Sequence, residues 1–271
     1  MTTRVGFVGI GRMGKPMCQH ILQAGFPLTL FDVNREAMSG LGAQGARVAG
    51  SLQETARESD VMIVMVTDDA QVREVVAGKN GLLDGAKPSA VIAICSSVHP
   101  NTCRDLAAAA AKKGVGLVDA PVARGERGAE AGELTVFVGG EKGFVETCRP
   151  VFAAFAKTIL HMGKIGAGQL TKTCNNLMHW AEVAASYEVL TFGKKLGLDP
   201  NELRKAMLAG SADSRTLREL HLIGMYWPQK DLDTAMQLAR EVDTRLPLID
   251  RTSELVTKIS AQDLRALVAG Q

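Results

Sequence analysis

The sequence predicts an α/β domain with a doubly wound, mainly parallel sheet, followed by an all-helical domain. Three observations carry this. Short apolar runs alternate with helical patterns over roughly the first 160 residues. A glycine-rich turn joins the first apolar run to the first helical stretch. After a second glycine cluster at 163–168 the strand-like runs stop, and a long segment free of proline begins. The expected domains are therefore 1–163 and 164–271.

The elements follow in order. Residues 5–8 form a short apolar run, then come glycines, then a helical stretch at 13–24. Further strands are predicted at 28–31, 61–66, 91–94, 116–118 and 134–138. Their runs are continuous rather than alternating, as suits strands covered on both faces of a parallel sheet. Residues 101–113 read as a helix with Asn101 as cap, an alanine-rich body and Gly114 after it. Residues 169–196 read as one helix of about 28 residues, roughly 40 Å long at 1.5 Å per residue. Its second half (Ala181, Val183, Ala184, Ala185, Val189, Leu190) is apolar nearly all round, which predicts burial. Asp199 and Pro200 then cap and open a further helix.

Composition narrows the function classes. The chain has 271 residues, of which 46% are hydrophobic and 22% charged, with a formal net charge of +2. This near balance lacks the clustered basic excess of a nucleic-acid-binding protein. No stretch approaches the roughly 18 uninterrupted apolar residues of a membrane span. The five cysteines (18, 95, 103, 148 and 174) form no Cys-x-x-Cys pair, and the opening residues lack the apolar core and cleavage site of a secretory signal. A reducing, cytoplasmic location is expected. The five histidines are scattered without metal-ligand spacing, so no structural metal is expected.

Gly9-Ile-Gly11-Arg12-Met13-Gly14 lies between the first strand and the first helix. In a Rossmann-type turn the first glycine permits the tight bend, the second lets a pyrophosphate approach bare backbone, and the third lets helix and strand pack closely. The positive end of the helix then faces the phosphates. Asp32 stands at the end of the second strand, 18 residues past Gly14, where an acid can accept hydrogen bonds from adenosine ribose hydroxyls. Its charge favours NAD. Asn34 and Arg35 follow at the start of the next helix, and a guanidinium there can reach a 2′-phosphate, so NADP stays open.

Five ordered blocks resemble those of the β-hydroxyacid dehydrogenases, and the resemblance covers nearly the whole chain. They are Gly6-Phe-Val-Gly-Ile-Gly-Arg-Met-Gly-Lys-Pro-Met17, Ser96-Ser97-Val-His-Pro100, Asp119-Ala-Pro-Val-Ala-Arg-Gly125 with Gly128 and Gly132 after it, Gly166-Ala-Gly-Gln-Leu-Thr-Lys172-Thr-Cys-Asn175-Asn176, and Lys230-Asp-Leu232. The resemblance implies hydride transfer between NAD(P) and a small hydroxy acid or its aldehyde or keto partner. It also implies a C-terminal domain like that of 6-phosphogluconate dehydrogenase. It places Gly9, Gly11, Arg12, Met13, Gly14, Asp32, Asn34, Arg35, Ser97 and Lys230 on the cofactor. Ser97, Ala123, Arg124, Gly125, Lys172 and Asn176 fall on the substrate.

Lys172 matches the family's catalytic lysine, with Asn176 as its partner. The chemistry has its own logic: oxidising a secondary alcohol needs a group that takes the hydroxyl proton, and an amine in a cleft beside a cationic nicotinamide can do so. Asn175 and Asn176 lie three and four residues on, sharing one helix face with Lys172. Two adjacent asparagines run against helix propensity, which points to a use.

The chain departs from the family in one block. Ala123 and Arg124 stand where the family usually has Ser and Gly, which removes a hydroxyl. Arg124 either points into the cleft and grips an anion bidentately or points to solvent. Two other readings stay open: reduction of an imine or non-acid carbonyl on the same scaffold, and a non-catalytic NAD(P)-binding sensor. The apolar length of the long helix exceeds what the residues after it can cover, which predicts a homodimer or homotetramer.

Overall fold

The computed structural model describes residues 2–268. The chain forms two compact units that divide between Lys172 and Thr173.

The first unit is built on a nine-stranded sheet. Its strands are β1 (Val5–Val8), β2 (Leu28–Phe31), β3 (Arg47–Val48), β4 (Val61–Val64), β5 (Val91–Ile94), β6 (Gly116–Asp119), β7 (Val122–Ala123), β8 (Leu134–Gly139) and β9 (Ala156–Gly163). The order is β3-β2-β1-β4-β5-β6-β8-β7, with β9 also on β8. The first six strands are parallel in the order 3-2-1-4-5-6, the arrangement of a doubly wound dinucleotide fold. The chain reverses direction across the sheet between β1 and β4, and ligands of such sheets bind outside the carboxyl ends of the strands at that point. β8 runs antiparallel to β6 and β7.

Alternation decides which side each strand residue covers. Val5, Phe7, Val61, Ile63, Val91 and Ala93 enter one apolar cluster, while Val8, Met62, Val64, Ile92 and Ile94 enter another on the opposite face. All eleven are buried, which is why these strands read as unbroken apolar runs. The helices of this unit are α1 (Gly14–Gln23), α2 (Arg35–Gly42), α3 (Leu52–Arg57), α4 (Asp69–Ala77), α5 (Leu82–Gly85), α6 (Pro100–Ala111), α7 (Gly125–Glu130) and α8 (Lys142–Phe152).

Two local expectations need correction. The helix expected at 101–113 is α6, which starts at Pro100 with His99 as its cap: His99 Nδ1 accepts the Asn101 N–H at 3.2 Å. Proline has no N–H to lose at the first helical position, so it draws the helix start back by one residue. β9 had no strand signal, because only its first residue is buried and its sequence carries no apolar run.

α9 (Ala167–Lys195) passes through the division between the units as one helix of 29 residues. The second unit continues with α10 (Pro200–Leu208), α11 (Arg215–Arg218), α12 (Pro228–Glu241), α13 (Pro247–Val256) and α14 (Ala261–Val268). Asp199 accepts the N–H groups of Asn201 and Glu202 at the start of α10, with Pro200 in the first turn as expected. The core here comprises Trp180, Val183, Leu190, Leu217, Leu232 and Val256 with their neighbours. The expectation of all-round burial for α9 is corrected: Val183, Ala184 and Leu190 are buried, but Ala185 and Val189 lie on the surface of the single chain. One helix face suffices to close this small core, so the opposite apolar face stays outside.

Candidate active site

The glycine loop leaves β1 and enters α1. Gly9 has φ +96°, and any Cβ there would collide with the Met65 carbonyl; a Cβ on Gly14 would collide with the Gly9 carbonyl. A Cβ on Gly11 would meet nothing within 4 Å. Two glycines are thus required by packing, while the middle one faces open space and leaves backbone accessible. Met13 sits at the cap position of α1 and no side chain caps it. A helix start that no side chain caps, beside an open glycine, fits an anionic group such as a pyrophosphate. Arg12 is exposed, 4.0 Å from Glu126 of α7.

Asp32 follows β2 and its carboxylate closes on the loop. One oxygen accepts the Ile10 N–H at 2.6 Å and the other the Asn34 N–H at 2.8 Å. Each oxygen keeps a second acceptor site, so Asp32 can hold the loop and still receive a ribose hydroxyl. Asn34 caps α2 by accepting the Glu36 N–H, and Arg35 is exposed at the first position of that helix.

At the carboxyl end of β5 the chain passes through Ser96, Ser97 and Val98 into α6. Ser96 and Val98 are buried and Ser97 is half-buried. The Ser96 hydroxyl accepts the Val66 N–H at 2.8 Å, tying this loop to the end of β4.

β6 ends on Asp119, which is fully buried. Its two oxygens accept the N–H groups of Gly166 at 2.6 Å and Gln169 at 2.7 Å. Asp119 therefore caps α9 from a strand far away in sequence, satisfying donors that a helix start leaves without partners. Burial pushes its carboxyl above the ordinary range, and the backbone donors at Gly166 and Gln169 oppose that shift. Gly168 has no side chain because a Cβ would strike the Phe137 carbonyl. α9 starts two residues before the expected 169, so Lys172 lies in its second turn, half-buried. Asn176, one turn on, is 8% exposed, and its side-chain oxygen accepts from Asn175 at 3.2 Å.

The departure from the family at Ala123 and Arg124 has a definite geometry. Ala123 is buried and pairs with Thr135 across β7 and β8. Arg124 has φ +88°, a left-handed conformation that costs a residue with a Cβ about 1–3 kcal/mol. Its guanidinium is engaged by one residue: Nη1 donates to the Glu133 carbonyl at 2.7 Å, and Nη2 lies 2.9 Å from the Glu133 carboxylate. Of the two orientations open from sequence, neither a free cleft side chain nor a solvated one describes it. Gly125 follows with φ +60° and opens α7.

In the second unit Lys230 is half-buried in the first turn of α12. The neighbouring Asp231 accepts the Trp180 indole N–H at 3.0 Å, which anchors this turn to α9.

Sequence reasoning missed three of these groups as working residues: Asp119, Gln169 and Asp231. Asp119 had a signal, a carboxylate closing an apolar run. The other two stand inside the blocks shared with the family, but nothing next to them in sequence gave them a role, because their side-chain partners are distant in sequence.

Residues 4–163 match the family described as the NAD binding domain of 6-phosphogluconate dehydrogenase, and residues 166–267 that described as the NAD-binding domain of NADP-dependent 3-hydroxyisobutyrate dehydrogenase. The chain belongs to the β-hydroxyacid dehydrogenase family. Within it, the chain is 38% identical to 3-hydroxyisobutyrate dehydrogenase of Pseudomonas aeruginosa, over 79% of this chain and 72% of that protein. It is 33% identical to 2-(hydroxymethyl)glutarate dehydrogenase of Eubacterium barkeri, over 93% and 87%. The solved structure of Mycobacterium tuberculosis 3-hydroxyisobutyrate dehydrogenase with L-serine superposes with a TM-score of 0.87 at 27% identity, covering both chains fully. A β-hydroxyacid dehydrogenase is an NAD(P)-dependent oxidoreductase acting on CH–OH groups, and this chain is one. The two matched segments meet at the glycine joint of 163–166. Among the described residues, no helix is long and apolar enough to cross a membrane.

Proposed function

We propose that the protein moves hydride between NAD(P) and a small hydroxy acid or its aldehyde or keto partner, with Lys172 as general acid/base. The observation that carries this is the buried Asp119 cap, which fixes the start of the helix bearing Lys172 at the carboxyl edge of the sheet, where such folds bind their ligands. Gly9, Gly11, Arg12, Met13 and Gly14 would hold the pyrophosphate. Asp32, Asn34 and Arg35 would hold the adenosine ribose, and Ser97 and, by family resemblance, Lys230 the nicotinamide end. Bound NAD(P) supplies the hydride acceptor or donor. Lys172 takes the hydroxyl proton in oxidation and returns it in reduction, while Asn176 orients the substrate oxygen through an amide that does not titrate. Gly125 offers backbone to the substrate carboxylate. Ala123 contributes no hydroxyl, and Arg124 acts by shaping this loop through Glu133.

We read NAD as the preferred cofactor, because a 2′-phosphate would meet the Asp32 carboxylate. A panel of small hydroxy acids and aldehydes with NAD and NADP, followed by nicotinamide absorbance, tests the proposal. Carboxylate-bearing substrates are expected to turn over, faster with NAD. Turnover confined to neutral carbonyls or imines would overturn the substrate class.

A dimer belongs to the same reading. On α9, Met178 (62% exposed), Ala185, Val189 and Phe192 (63% exposed) recur at helical spacing on the outer face. A second copy is the simplest cover for such a stripe. Sedimentation velocity is expected to give a dimer or larger, and Phe192→Glu to shift it towards monomer; a monomeric parent protein would refute this.

A further inference from the structure

We propose that Gln169 is a positioning residue whose carboxamide sets the loop carrying Ser97 in register with the helix carrying Lys172. The inference rests on the proposed roles of Ser97 and Lys172. Gln169 is 1% exposed, among the few polar side chains in the core of the first unit. Its Nε2 donates to the Ser96 carbonyl at 2.8 Å, and its Oε1 accepts the Val98 N–H at 3.1 Å. One amide thus pairs with the backbone on both sides of Ser97, as a neighbouring strand would. Ser97 itself remains half-buried, available to a ligand.

The arrangement has one orientation. Ser96 needs a donor and Val98 an acceptor, so a flipped amide would face oxygen with oxygen and N–H with N–H. The other end of Gln169 is equally fixed, since its backbone N–H is bonded to Asp119 at 2.7 Å. Lys172 lies three residues on, less than one helical turn away. A chain of three contacts therefore runs from β6 through Asp119 and Gln169 to the loop after β5. An apolar residue would fill this space as well, but it would leave two buried backbone groups without partners. The retained amide is thus explained by what it holds.

The full-length protein with Gln169→Leu and Gln169→Glu tests this. Gln169→Leu keeps the volume and removes both bonds. It is expected to lower kcat by about 10²-fold, the effect of misplacing reacting groups by about 1 Å, with NADH affinity unchanged. In Gln169→Glu a protonated carboxyl can still donate to Ser96 and accept from Val98, whereas the carboxylate cannot donate. Asp119 and the Cys103 thiol lie beside it. Measured as a ratio to the parent at each pH, so that the limb given by Lys172 cancels, the activity of this variant is expected to be highest at acidic pH and to fall as pH rises, a change of ratio that Gln169→Leu does not show. A merely structural role would lower Tm and leave kcat per folded enzyme and the pH profile unchanged, which would overturn the proposal. Emission of bound NADH gives a readout that needs no turnover. The parent is expected to enhance it by ordering the nicotinamide, and Gln169→Leu to bind NADH without that enhancement. If no substrate of the panel turns over, the proposed function fails on its own, and equal emission from parent and variant still refutes the role of Gln169. If Gln169→Leu does not fold, emission from Gln169→Glu across pH decides the matter, and a pH-independent signal equal to the parent's refutes it.

Discussion

Lys172→Ala is expected to keep NAD(P) binding and to lose turnover by roughly 10²–10⁴-fold, the range a positioned general acid/base supplies. Binding should survive because the proposed cofactor cradle lies elsewhere, in the turn between β1 and α1 and at Asp32 after β2. Turnover should fall because no other amine lies within a turn of Lys172 on α9: the next residues one turn on are Asn175 and Asn176, whose amides neither take nor give a proton at neutral pH. Lys172→Arg sharpens the test, since a guanidinium preserves the charge and does not deprotonate. Both variants should be nearly inactive, with NADH titrations close to the parent's. Near-normal turnover by either would remove Lys172 from the reaction.

Asp119→Ala is expected to destabilise the protein by about 2–6 kcal/mol, because it strands two buried N–H donors at about 1–3 kcal/mol each. Those donors are Gly166 and Gln169, so the damage falls on the first turn of α9, and activity should fall with stability. Asp119→Asn keeps one acceptor but turns an NH₂ group towards the second N–H, so it should recover only part of the loss. The pH dependence has a definite sign. Burial holds the folded carboxyl above its ordinary value, so between the two values the native state binds more protons than the unfolded state. Stability contributed by this group therefore declines as pH rises through that window. The stability gap between the parent and Asp119→Asn should accordingly widen as pH falls into it. Urea denaturation at several pH values measures the gap; a gap that narrows on acidification would contradict the assigned shift.

The site was legible in sequence to different depths. The glycine turn could be read because each glycine answers a local need, and the structure shows packing that forbids a Cβ at Gly9 and Gly14 but not at Gly11. The sheet could be read because strands buried on both faces are mostly apolar along their length. β9 could not, since an exposed strand on the β8 side carries no such run. The start of α6 slipped because two local signals, Asn101 and Pro100, competed within one turn. Arg124 illustrates a further limit. Its departure from the family pattern was visible, but its orientation depended on Glu133, which the strand pairing of β7 with β8 brings alongside.

The sequence by itself determined the α/β class, the helical second part, the glycine turn and the family, because each is written in patterns within one turn, one strand or one short block. Tertiary structure alone decided how the reaction groups are held: Asp119 on the start of α9, Gln169 on both sides of Ser97, Asp32 on the glycine loop and Glu133 on Arg124. All but the last of these bonds join residues from 22 to 73 positions apart, and Arg124 meets Glu133 across nine. Hydrogen bonds of this kind leave no periodicity to read. Those of Asp119, Gln169 and Asp32 exist only because the folded sheet brings a carboxylate or an amide to a backbone group distant in sequence.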